Sequence, residues 1–184
     1  MFIQTEPTPN PATLKFLPGR TVLAGGTLDL RDKDTAAQSP LAERLFEIDG
    51  VTGVFFGSDF ISVTKADGEW QQLKPAILSA IMEHFMSGAP LLAADSTTVA
   101  AEEFFDEKDA ETVATIKELI ETRVRPAVAN DGGDITFRGF RDGVVFLHMK
   151  GACSGCPSST ATLRHGIQNL LRHYVPDVVE VRPV

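Results

Sequence analysis

Gly151-Ala152-Cys153-Ser154-Gly155-Cys156-Pro157-Ser158-Ser159 is the stretch on which the reading of this chain turns. Immediately before it, Val144 to Lys150 carries the apolar and β-prone residues of a strand. Immediately after it, Ser158 opens a helix in which Leu163, Ile167, Leu170, Leu171 and Tyr174 share one face, with Pro157 standing at the helix start, where a missing N–H costs nothing. Both cysteines therefore fall in a strand-to-helix loop. They are the only 2 cysteines among 184 residues, so no disulfide framework staples the chain, and a reducing compartment suits it.

Upstream, Ile135 to Phe140 predicts a strand that pairs with Val144 to Lys150 around the turn Arg141-Asp142-Gly143. Asp131-Gly132-Gly133-Asp134 reads first as a structural turn that ends a helix, its glycines permitting left-handed backbone, with a place for its two carboxylates beside a bound centre or a client as the alternative. That helix is expected from about Ala110 to Ala129, with Val113, Ile116, Ile120, Val124 and Val128 as the buried stripe and Pro126 loosening the last turn. Downstream, Val178 to Arg182 supplies a final strand. The order is helix, hairpin, thiol loop, helix, strand.

The first half has its own pattern. Phe2 to Thr5 and Thr13 to Leu17 read as strands separated by Pro7, Pro9 and Pro11, and Thr21 to Leu30 continues β-prone. Ser39 as N-cap and Pro40 at the first helical position begin a short helix that stops by Asp49-Gly50. Gly53 to Phe56 and Phe60 to Lys65 are strands around Gly57-Ser58-Asp59. A helix from about Glu69 to Ser87 places Trp70, Leu73, Ile77, Ile81, Met82 and Phe85 on one face, and the unit closes near Gly88. Between the halves the periodicity fades into Ala, Ser, Thr, Glu and Asp, the composition of a linker, with Leu91, Leu92, Phe104 and Phe105 read as anchoring its ends rather than docking on a domain or partner. The expected fold class is α+β: two small α/β-sandwich-like domains, 1–88 and 109–184, joined by an acidic linker at 89–108.

A formal net charge of -8 opposes binding to a phosphate backbone, which draws on clustered Lys and Arg. No apolar run approaches the roughly 20 residues that span a bilayer, and Met1 to Pro11 lacks the basic and apolar regions of a signal peptide. The expectation is a soluble intracellular protein without nucleic-acid or membrane partners: cytoplasmic if bacterial, in the mitochondrial matrix if a mature eukaryotic form.

Two cysteines separated by two residues can hold one soft metal centre, because a turn of that size brings both sulfurs to one side. A helix N-terminus at Cys156 lowers thiol pKa through its dipole and unpaired amides. Gly151 and Gly155 bare backbone N–H groups that can donate to sulfur. A zinc ion or a 4Fe-4S cluster wants four ligands, and one chain offers two; a two-fold dimer supplies the other pair. A centre shared in this way is exposed and easily released, which suits a carrier better than an enzyme. Zinc stays open as an alternative. So does dithiol/disulfide exchange, although only 28 residues follow Cys156, too few for the rest of a thioredoxin-like fold. His84, His148, His165 and His173 are scattered and are read as packing or surface residues.

Several linked motifs resemble the Nfu or NifU-like iron-sulfur scaffold and carrier proteins. Arg125-Pro126, Asp131-Gly132-Gly133-Asp134-Ile135, the Gly151 to Ser159 segment and Leu163 to Ile167 look like that family's C-terminal signature, in order. Thr5-Glu6-Pro7-Thr8-Pro9-Asn10-Pro11 with Leu14-Lys15-Phe16 is similar to the N-terminal domain of its two-domain members. The resemblance implies that Cys153 and Cys156 of two chains share a 4Fe-4S cluster in a homodimer. It also implies apo iron-sulfur clients and an upstream assembly scaffold as partners.

Overall fold

The computed structural model describes residues 2–24, 26–93, 102–151 and 157–184, with backbone alone for 157–160. It divides into two compact units, Met1–Thr98 and Val99–Val184.

The first unit is a five-stranded antiparallel sheet in the order β1-β2-β5-β4-β3, made by β1 (Gln4–Pro7), β2 (Thr13–Leu17), β3 (Leu28–Leu30), β4 (Val51–Phe56) and β5 (Ile61–Lys65). Helices α1 (Lys33–Ala36), α2 (Pro40–Phe46) and α3 (Trp70–Ser87) complete it. Strand β1 starts two residues later than expected and includes Pro7, which an edge strand tolerates because an outward N–H is not needed there. Of the β-prone run Thr21 to Leu30, only Leu28–Leu30 pairs as a strand among the described residues. Ser39 caps α2 as its sequence predicts, its hydroxyl accepting from Ala42 N–H at 3.3 Å. The core joins Phe16, Leu41, Leu45, Val54, Phe56, Ile61, Val63, Ile77 and Ile81. Trp70, Met82 and Phe85 reach it from the margin, half-buried, while His84 is 2% exposed. The helix ends at Gly88 in the left-handed conformation.

Beyond Gly88 the chain stays with this unit for a few residues: Leu91 packs on the core, and Ala93 N–H donates to Gln38 C=O at 2.7 Å.

The second unit opens with a short 3-10 turn, Glu107–Asp109, followed by α4 (Ala110–Leu119), a π turn (Ile120–Val124) and α5 (Arg125–Asn130). Strands β6 (Gly133–Arg141), β7 (Val144–Gly151) and β8 (Glu180–Pro183) form a sheet with β7 in the centre, antiparallel to β6 and parallel to β8. Helix α6 (Pro157–Tyr174) makes the crossover between the two parallel strands. Asp142 and Gly143 both have positive φ, 51° and 79°, the pairing a two-residue I′ hairpin requires.

The π turn has a cause in the sequence. Ile116, Ile120, Val124 and Val128 recur at intervals of four, and in an uninterrupted α-helix each such step drifts by about 40° around the axis. Pro126 has no N–H and its ring crowds the preceding turn. One wide turn, in which Arg125 N–H bonds to Ile120 C=O five residues back, absorbs both problems. All four residues then stay buried, at 4% exposure or less. Helix α6 buries Ile167 and Leu171, with Leu163 and Leu170 half-buried; Tyr174, expected on that face, is 46% exposed. Its ring instead receives the Arg123 guanidinium at 5.1 Å, and Val175 takes the buried position.

Candidate metal centre

Cys153 and Cys156 lie in the segment 152–156, outside the described residues; its two borders are described. Strand β7 ends at Gly151, whose φ of 68° turns the chain out of the sheet in a conformation most side chains avoid. Helix α6 begins at Pro157. A helix N-terminus carries unpaired N–H groups and partial positive charge, both favourable to thiolates or sulfide close by. The five residues between these borders contain both of the chain's thiols.

The departure point is braced from the neighbouring strand. Gly133 stands opposite Gly151 and Asp134 opposite Lys150, so the end of the sheet where the thiol segment leaves is also where β6 enters from α5. Asp134 is 3% exposed and meets Arg125 in a two-point pair, Nε to Oδ1 at 2.9 Å and Nη2 to Oδ2 at 3.0 Å. Arg125 Nη1 also donates to Glu121 Oε1 at 2.7 Å, one turn back. The hydrogen bond to Asp134 is the foremost cause that raises the guanidinium pKa, against the opposing effect of burial. A planar fork matched to a carboxylate is what Arg supplies and Lys does not.

Sequence reasoning misses this brace, since it assigns Asp134 to a turn and leaves Arg125 outside the buried stripe of its helix. The pairing joins a helix to a strand across nine residues and depends on the π turn just before Arg125. The one available signal is the four-residue apolar spacing that forces the wide turn.

The histidines do not converge. His84 is buried in the first unit, His148 is half-buried on β7, and His165 and His173 are exposed on α6. Among the described residues no group of three or more His, Cys, Asp or Glu side chains is arranged to hold a metal ion. No helix among them is long and apolar enough to cross a membrane.

Residues 3–88 match the family model described as scaffold protein Nfu/NifU N terminal, and residues 116–182, which include both cysteines, match the NifU-like domain. The human protein named NFU1 iron-sulfur cluster scaffold homolog, mitochondrial, is 50% identical over 186 residues, covering 100% of this chain and 72% of that protein. Its counterpart of the same name in Drosophila sechellia is 52% identical over 186 residues, covering 100% of this chain and 65% of the relative. NifU-like protein 4, mitochondrial, of Arabidopsis thaliana is 52% identical over 181 residues, covering 97% and 64%. The chain thus spans slightly less than two thirds of the length of these two relatives. With an Nfu-type N-terminal domain followed by a NifU-like domain, and half of its residues shared with a human relative along its whole length, the chain belongs to the Nfu/NifU-like family.

Proposed function

We propose that this protein is an iron-sulfur cluster scaffold and carrier: Cys153 and Cys156 of two chains hold one 4Fe-4S cluster between them, and the cluster is passed to apo client proteins. The observation that carries the reading is the union of family and thiol count. Its relatives are named iron-sulfur cluster scaffolds, and a single chain offers 2 thiols where a 4Fe-4S cluster takes four. A second copy completes the set at an exposed interface.

In this reading residues 109–184 form the cluster-binding domain, residues 1–88 serve recognition, and 89–108 connect them. The role is that of a carrier, without catalysis of its own. The chain's residues do three things: the thiolates bind, the N-terminus of α6 and nearby amides stabilise negative sulfur, and the Arg125–Asp134 brace fixes the sheet end from which the thiol segment departs. A client presenting its own thiolates displaces one chain's pair at a time, by ligand exchange without net redox change. The cluster comes from an upstream scaffold or is assembled on the thiolates themselves. The mitochondrial names of the eukaryotic relatives favour the mitochondrial matrix if the source is eukaryotic.

Anaerobic reconstitution tests this. Broad visible absorption with about four iron and four sulfide per dimer is the expected result. Colourless protein that retains zinc, or that reduces insulin disulfides, would show the same cysteines working as a zinc site or a dithiol oxidoreductase.

A further inference from the structure

Among the described strands β6 is an edge of its sheet, and an edge presents unpaired backbone groups to any extended segment. Here a piece of the same chain occupies part of it. Phe104 N–H donates to Arg138 C=O at 3.0 Å, and Phe140 N–H donates to Phe104 C=O at 2.9 Å, a parallel bridge centred on Gly139. The β6–β7 register shifts between Phe137 and Gly139, so the edge bulges where Phe104 lands.

The surface under Phe104 is shaped for an aromatic ring. A Cβ at Gly139 would overlap the Phe104 ring, so glycine leaves the floor open. Phe146 lies beside the ring at 5.2 Å between centroids, and the Arg141 guanidinium covers it at 5.7 Å. Lys117 Nζ holds Glu103 Oε2 at 2.7 Å. In a chain of net charge -8, this edge sets two cations around an apolar platform. The occupant, Glu102-Glu103-Phe104-Phe105-Asp106, is complementary: acidic residues flank two aromatics.

The hold is light. Phe104 stays 40% exposed, and the Lys117–Glu103 pair is exposed at 45% and 34% of its side chains. Among the described residues two backbone hydrogen bonds secure the strap, against eight paired positions between β6 and β7. What keeps it seated is the tether, which gives such a segment an effective concentration of about millimolar.

We propose that the outer edge of β6 around Gly139 is a docking groove for an extended acidic–aromatic segment of a partner protein, and that residues 102–106 are its internal placeholder. The partner segment adds to the sheet edge by backbone pairing, seats an aromatic ring over Gly139 against Phe146, and places an acidic residue on Lys117. Gly139 is six residues along β6 from Gly133, about 20 Å from the strand end beside the thiol segment. A docked partner is therefore near that end without covering it.

The test uses the full chain, cluster-free, and a labelled peptide of residues 99–109. Phe104→Ala removes the internal competitor, so the peptide should bind this variant at least about tenfold more tightly than wild type. Adding Gly139→Val fills the vacated platform and should abolish that binding, as should replacing the peptide's own Phe at 104 by Ala. Hydrogen exchange at the Phe140 amide should quicken in Phe104→Ala and slow again when peptide is added. Equal affinity for wild type and Phe104→Ala overturns the proposal, as does no binding by a variant whose circular dichroism is native. Binding that survives Gly139→Val overturns it too. A concentration-dependent wild-type dimer that Phe104→Ala abolishes would assign the groove to a second copy of this chain and overturn the partner reading.

Discussion

Arg125 and Asp134 form a two-point ion pair, at 2.9 and 3.0 Å, that fastens the start of α5 to the strand residue opposite Lys150. Because Asp134 is 3% exposed, removing Arg125 leaves its carboxylate out of water without the guanidinium, whereas Arg125 has a side chain 29% exposed and keeps Glu121 when Asp134 is removed. Arg125→Ala should cost the second unit up to about 3–5 kcal/mol. Arg125→Lys keeps the charge but loses the fork, and should fall between that variant and wild type. Urea or thermal unfolding followed by circular dichroism reads both. Wild-type stability in Arg125→Ala would show that the pair contributes nothing net.

Cys153→Ser and Cys156→Ser should each abolish stoichiometric iron and sulfide on reconstitution. The secondary structure should stay as it is, since Val113, Ile116, Val128, Ile135, Leu147, Leu171 and their neighbours already form a contiguous core among the described residues. Retention of a full cluster by either variant would remove that residue from the ligand set.

Cluster occupancy and association should be coupled. A cluster that binds only the paired state stabilises it by mass action, whereas four thiolates brought together without metal repel one another. Light scattering should report mainly monomer before reconstitution and at least a dimer after it. A holo protein that remains monomeric in the absence of glutathione or any other added thiol contradicts bridging.

His84 should make the first unit acid-sensitive. Its ring is buried, its Nε2 has no hydrogen-bond partner among the described residues, and burial first and Arg44 second lower its pKa below the usual 6.5. The folded state therefore binds fewer protons than the unfolded state as pH falls. The associated stability is complete above about pH 6.5 and is lost as pH drops through the depressed folded value, at up to about 1.4 kcal/mol per pH unit for one group. In His84→Phe the slope of stability against pH below 6.5 should flatten. An unchanged slope would assign the acid sensitivity to other groups.

Much of the fold is legible in the sequence because local rules and burial agree. Thr13–Leu17 forms the expected strand, Ser39 and Pro40 open α2, and Asp142-Gly143 closes the hairpin. Where the reading fails, packing overrides propensity. Spacing places Tyr174 on the buried face, but the chain leaves the helix there and Val175 reaches the core first. Thr21 to Ala24 are β-prone yet join no strand; Val22 is held instead by its N–H to Ser58 C=O, at 2.8 Å, and by burial in the core. The short helix Lys33–Ala36, held by an Asp32–Thr35 capping box, escapes a periodicity search because one turn leaves no period to see.

The sequence by itself determined the two-unit organisation, the family and the thiol pair, since each is written in contiguous residues whose chemistry does not depend on distant neighbours. Tertiary structure alone decided that Arg125 meets Asp134, that Phe104 lies over Gly139, and that His84 is buried with no partner for Nε2 among the described residues. Each of these joins residues by the phase of a helix or the register of a strand. One wide turn before Arg125, or one extra residue in β6 at the bulge, rotates a side chain to another face, and no local pattern states which face is waiting for it.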